Sequence, residues 1–179
     1  MSVVHKLAQR FLTEIGFFSR FILHRPLYDY QLPVARAIVE SIIEKRGLEF
    51  AVLFPRQSGK NEVQSHLQAY LLMLFQRIQG AQIVIASPTF KTQSINALMR
   101  LESQLANGLT AALWSRVQGY IVRLGQAAAL FFSAEASANT VGATASIALF
   151  GDEAQDIAED IWARKFEPMT ASTNATIAL

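Results

Sequence analysis

The pair Gly59-Lys60 falls between a continuous apolar run, Phe50-Ala51-Val52-Leu53-Phe54, and a stretch over 60–78 with apolar residues at helical spacing. This order of buried strand, tight turn and helix constrains the fold more than any other feature of the chain. A helix that opens directly after a strand turns its unpaired N–H groups and positive dipole end toward the connection. A glycine there lets the backbone close around an anion. A second landmark follows the same logic: Ser146-Ile147-Ala148-Leu149-Phe150 reads as a buried strand that ends in Gly151-Asp152-Glu153. A strand-end aspartate can hold Mg²⁺ and its glutamate neighbour can orient a water, so the two landmarks predict the two halves of an ATP site.

Apolar runs alternate with helical patterns along nearly the whole chain, which predicts an α/β fold with a mostly parallel central sheet flanked by helices. A helix is expected over 31–46, with Leu32, Ala35, Ile38, Val39, Ile42 and Ile43 inward and Gly47 as its stop. Helix 60–78 carries Val63, Leu67, Tyr70, Leu71, Leu74, Phe75 and Ile78 on its apolar side and leads to the strand Gln82–Ala86. Ser87-Pro88-Thr89 closes that strand, and a helix over 91–107 follows with Ile95, Leu98, Leu101 and Leu105 inward. Two short apolar runs flanking Gly125 suggest an antiparallel hairpin near 120–132, its register left open by Ala127 to Ala129. The last run, Ala175 to Leu179, reads as a strand that stops at the terminus.

With 179 residues, 51% of them apolar and 17% charged, the chain has the material for one domain with a sizeable core. The absence of cysteine removes disulfides and thiolate metal sites and fits a reducing cytoplasm. A net charge of +2 does not by itself indicate nucleic-acid binding. The basic surplus lies in residues 1–25, where Lys6, Arg10, Arg20 and Arg25 face Glu14. These charges interrupt every apolar stretch, so the segment is neither a signal peptide nor a membrane span. It reads as a basic amphipathic helical segment broken near Gly16, docked on a domain over 26–179.

The common phosphate turn, GxxxxGK[ST], fails here at two fixed positions: Phe54 replaces the first glycine and Asn61 the hydroxyl. Asn61 can still offer Mg²⁺ a neutral oxygen. A GK pair alone is weak, and adjacent acids at a helix start have a bland reading as dipole partners. Each landmark supports the other.

Arg56-Gln57-Ser58-Gly59-Lys60-Asn61 resembles the Arg-Gln-x-Gly-Lys turn of the ATPase domain of tailed-phage terminase large subunits. The resemblance extends over roughly residues 26–179. Pro88-Thr89, Val141-Gly142-Ala143-Thr144 and Asp152-Glu153-Ala154-Gln155-Asp156 also look like that family's pattern. It implies ATP and Mg²⁺ as cofactors, with Lys60 on the β- and γ-phosphates and Gln57, Ser58 and Gly59 in the phosphate-binding turn. Asp152 and Asn61 would hold Mg²⁺, Glu153 would orient water, and Arg56 would act on the γ-phosphate as a finger within the chain. Tyr28-Asp29-Tyr30-Gln31 is similar to the family's adenine segment, with Gln31 at the base. Thr170, Ser172 and Thr173 resemble the motif that couples hydrolysis to motion. The implied partners are double-stranded DNA, a portal protein, a small terminase subunit and further copies in a homo-oligomeric ring. The implied setting is the bacterial host cytoplasm during phage assembly, without a membrane.

Terminase large subunits usually continue into a nuclease domain, and nothing after Asp156 supplies its acidic cluster, so nuclease activity is not expected of these residues. Two alternatives stand. A helicase-type translocase would share Asp152 to Gln155, but usually carries a Gly-x-Gly-Lys-Thr turn. A non-catalytic nucleotide-binding remnant of a prophage gene would keep the fold without turnover.

Overall fold

The computed structural model describes residues 10–135 and 142–179, so Lys6 and Val141 lie outside the described residues. Seven strands form one sheet: β1 (Glu49–Phe50), β2 (Gln82–Ser87), β3 (Trp114–Val117), β4 (Ile121–Leu124), β5 (Ala127–Ser133), β6 (Ala148–Gly151) and β7 (Thr176–Ala178). Their order is β1-β7-β6-β2-β5-β4-β3. The first five in that order run parallel, while β4 pairs antiparallel with both β5 and β3. Among the described residues, the α-helices longer than one turn are α1 (Ile15–Phe21), α2 (Leu32–Ile43), α3 (Lys60–Phe75) and α4 (Ile95–Leu105). This is the α/β architecture the alternation of elements predicts.

Alternate residues of the strands build two cores. Ile83, Ile85, Ala129, Phe131, Ala148 and Phe150 face the helices. Val84, Ala86, Leu130, Phe132 and Leu149 face the opposite way, against Ile157, Phe166 and Met169 from the short turns after β6.

Four expectations change. The run 50–54 is not a buried strand. Only Glu49–Phe50 form the regular ladder, with Val52 N–H reaching Leu179 O at 2.8 Å. β1 is an edge strand, so Val52 and Phe54 pack on the core while Leu53 is 94% exposed. The expected hairpin is two of three antiparallel strands. Gly125 opens its two-residue turn with φ +60°, and a Cβ there would lie 2.5 Å from Gln76 O. That turn fixes the open register as Leu124 opposite Ala127 and Ile121 opposite Leu130. β3 escapes a sequence reading because Ser115 and Arg116 are exposed and polar. The helix expected over 60–78 ends at Phe75 and leaves Ile78 53% exposed. The helix expected over 31–46 spans Leu32–Ile43, because Lys45 leaves helical geometry at φ 53° before Gly47 does.

The N-terminal break falls at Glu14 (φ −138°, ψ 108°), and Gly16 lies inside α1. α1 packs on α3: Phe18 is fully buried against Tyr70, ring centroids 5.2 Å apart, and the Tyr70 hydroxyl donates to Leu12 O at 2.9 Å. Phe18→Ala is therefore expected to destabilise the protein by about 3–5 kcal/mol in urea unfolding. A small shift, the size of a surface substitution, would show that α1 is not part of the core.

Candidate nucleotide site

All five parallel strands point their C-terminal ends to one edge of the sheet, where ligands of open α/β sheets bind. β1 leads there into the turn 55–59, β2 ends at Ser87, β6 ends before Asp152, and β7 ends beside Leu179. The turn takes left-handed geometry twice, at Gln57 (φ 61°) and Gly59 (φ 79°). Gly59 caps α3, its carbonyl accepting from the N–H groups of Glu62 and Val63. The N–H groups of Lys60 and Asn61, the first two of α3, have no partner inside the helix and lie at the turn.

Behind the turn lies Gln31, 2% exposed. Its Nε2 donates to Ser58 O at 2.9 Å and its Oε1 accepts from Tyr28 N–H at 3.0 Å. The Tyr30 hydroxyl donates to the same Ser58 carbonyl at 2.7 Å. A Cβ on Gly59 would sit 2.8 Å from Gln31 Nε2, so glycine is required by contact as well as by φ. The carboxamide expected at adenine is thus already engaged at both ends, in bracing the turn 55–59. Tyr28 and Tyr30, both exposed, stack with centroids 5.7 Å apart, and Tyr30 meets Phe54 edge-on. They form an aromatic platform beside the turn.

Across from the turn, Asp152 N–H donates to Ala86 O at 2.8 Å, which locks the acid to the sheet. Asp152 is 3% exposed and its Oδ1 has no partner. Burial pushes its carboxyl above the ordinary range, Glu153 adds to this, and Lys60 and Arg100 oppose it. Glu153 stands at φ 53° and accepts a hydrogen bond from Gln155 Nε2. Lys60 Nζ lies 3.8 Å from Glu153 Oε2. Both groups are partly exposed at that distance, so the pair contributes about 0–1 kcal/mol and separates at little cost. Asn61 lines one small cleft with Asp152 and Arg100. An unpartnered buried carboxylate oxygen beside a neutral amide fits a hard divalent cation that keeps much of its water.

The structure therefore brings Lys60, Asn61, Asp152 and Glu153 together. Ser58 holds the turn through its backbone and donates its hydroxyl to Pro55 O. Arg56 is exposed on the lip of the turn and forms no ion pair with a described residue.

Thr170, Ser172 and Thr173 lie away from this edge. They precede β7, and Thr173 Oγ1 donates to Ala145 O at 2.6 Å, on the approach to β6. Since β6 and β7 run parallel, this places the three residues at the opposite edge of the sheet from Asp152. The Thr170 hydroxyl donates to Glu167 O, and Ser172 is exposed. The length of β7 separates them from the turn 55–59, and the residues at this end of β7 that share a pocket with Lys60 are Ala178 and Leu179.

Sequence reading missed Gln64, Gln68 and Arg100, which share the cleft with Asp152. It also missed Glu62, whose Oε1 accepts from Gln104 at 2.9 Å, His66 at 3.2 Å and Arg25 at 3.4 Å. Burial raises the Glu62 carboxyl, but these partners outweigh it and hold the group below its ordinary value. The network ties the first turn of α3 to α4 and to the N-terminal segment. The available signal was polar residues recurring on an otherwise apolar helix.

A mostly parallel sheet that delivers a glycine-lysine turn and an Asp-Glu pair to one edge defines the P-loop α/β class. No protein-family model matches the sequence, and no curated protein matches it. Solved structures do. The Thermus phage P74-26 large terminase ATPase domain superposes with a TM-score of 0.64 at 23% identity, covering 90% of this chain and 67% of that one. A point mutant of the same domain gives 0.64 at 22% identity with the same coverage. The HK97 bacteriophage large terminase gives 0.71 at 14% identity, covering 95% of this chain and 36% of its own length. At these identities the shared property is the fold, which is that of phage large terminase ATPase domains. No helix among the described residues is long and apolar enough to cross a membrane.

Proposed function

We propose that this chain is an ATPase of the phage large-terminase type, whose hydrolysis of ATP drives double-stranded DNA into a procapsid. The observation that carries this reading is the meeting of Lys60, Asp152 and Glu153 at one sheet edge, in a fold shared with terminase ATPase domains. Lys60 binds the β- and γ-phosphates, displaced from Glu153 as they enter. The N–H groups from Gln57 to Asn61 cradle the phosphate oxygens, Tyr28 and Tyr30 flank the base, and Gln31 acts through the shape of the turn. Asn61 and Asp152 hold Mg²⁺, which when bound neutralises charge on the phosphates. Glu153, freed from Lys60, orients the attacking water, and Arg56 meets the charge that builds on the transferring group. In this reading the partners are DNA, a portal protein, a small terminase subunit and further copies in a ring, all in the host cytoplasm.

The test is nucleotide binding and phosphate release with and without double-stranded DNA. Lys60→Ala is expected to weaken ATP binding by about 1.5–3 kcal/mol, the worth of a hydrogen bond to a charged group, or roughly ten- to 150-fold in Kd. Unchanged affinity in this variant, or no nucleotide binding by the parent chain, would count against the site.

A further inference from the structure

Asn61, Gln64 and Gln68 recur at i, i+3 and i+7, which places them along one face of α3. That face looks onto Asp152, with Arg100 of α4 closing the far side of the shared cleft. In a helix whose neighbouring Leu67 and Ala69 are fully buried, this polar stripe is out of place. Its polar atoms are also unsatisfied: Gln64 Nε2, Gln68 Oε1 and Asp152 Oδ1 have no partner, and neither does the fully buried Ser87 Oγ, one residue past the Ala86 carbonyl that receives Asp152 N–H. Buried polar atoms normally find partners, and three orphans lining one cleft, on Gln64, Gln68 and Asp152, call for a shared ligand.

We propose that Gln68, supported by Gln64, is a positioning residue that orients the water shell of a divalent cation held by Asn61 and Asp152. The inference rests on the nucleotide-site reading above. Its chemistry follows from the free atoms. Metal-bound waters are strong donors, and Gln68 Oε1 and Asp152 Oδ1 are free acceptors. Gln64 Nε2 is a free donor that can meet a water oxygen or a phosphate oxygen. Mg²⁺ sheds its waters reluctantly, so a site for it needs partners for those waters as much as direct ligands. Arg100 brings positive charge to the far end of the cleft and fits a site that receives Asp152 and phosphate together.

The experiment titrates Mg²⁺ into the chain with a fluorescent non-hydrolysable ATP analogue. Gln68→Met keeps side-chain length and removes the acceptor. It is expected to raise the Mg²⁺ concentration for half-maximal binding about 10- to 100-fold, the range for loss of an outer-shell partner. Its affinity for the analogue in EDTA is expected to match the parent. Gln68→Glu, which keeps an acceptor, is expected to restore the Mg²⁺ midpoint. A parent-like midpoint in a folded Gln68→Met chain would overturn the proposal and leave the nucleotide site standing. Should Gln68→Met fail to fold, as read by thermal unfolding, Gln64→Met carries the test through the Mg²⁺ midpoint alone, and a parent-like midpoint in that variant would likewise overturn the proposal. A parent chain that binds no analogue at any Mg²⁺ concentration would overturn the site itself, and this inference with it.

Discussion

Glu153→Gln is expected to bind ATP as the parent does and to turn it over roughly 10²–10⁴-fold more slowly, the usual contribution of a positioned acid or base. The substitution keeps the length and shape of the side chain and removes only the charge. Loss of charge also abolishes the 3.8 Å pairing with Lys60, but that pair is partly exposed and weak, so the phosphate turn keeps its geometry. The backbone at this position is demanding, since Glu153 holds φ 53° directly after the buried Asp152. Glutamine tolerates that region as well as glutamate does, so folding is unaffected. The measurement is phosphate release set against analogue affinity. Full turnover in the variant would remove Glu153 as the group that orients water, and a matched loss of affinity would make it a binding group instead.

What the sequence disclosed and what it hid follow from the range of the interactions concerned. The glycine-lysine turn and the Asp-Glu pair are local patterns, each carried by an apolar run and the few residues after it, and parallel strands bring both to one edge. β1 could not be read as an edge strand, because whether Leu53 is buried depends on which strand pairs beside it, and β7 arrives from more than a hundred residues further along the chain. That the Gln31 carboxamide is engaged could not be read locally, since its partner Ser58 lies 27 positions away. Thr170, Ser172 and Thr173 resemble a coupling motif in residue type alone. Strand direction decides their position, and β7 runs from them toward the site instead of ending at them. The polar face of α3 was present in the sequence, but it becomes informative only when Asp152 and Arg100 close over it.

Arg56→Ala is expected to have the largest effect on chemistry, with a fall in turnover of about 10³–10⁵-fold if its guanidinium acts as an arginine finger. Arg56 stands four positions before Lys60 on a turn pinned at both ends: Ser58 N–H donates to Pro55 O at 3.2 Å, and Ser58 O accepts from Gln31 and Tyr30. The backbone that carries the guanidinium is therefore held, while the side chain is exposed and makes no ion pair with a described residue. A rigid base with an uncommitted cation suits a group that engages only as charge develops on the transferring phosphoryl. ATP affinity should then change little, and Arg56→Lys should restore little, because an ammonium cannot form the planar two-bond contact with phosphate oxygens. Single-turnover hydrolysis with protein in excess separates the chemical step from product release. Equal losses in binding and turnover would place Arg56 on ground-state phosphate, and unchanged single-turnover rates would assign the finger to some other residue.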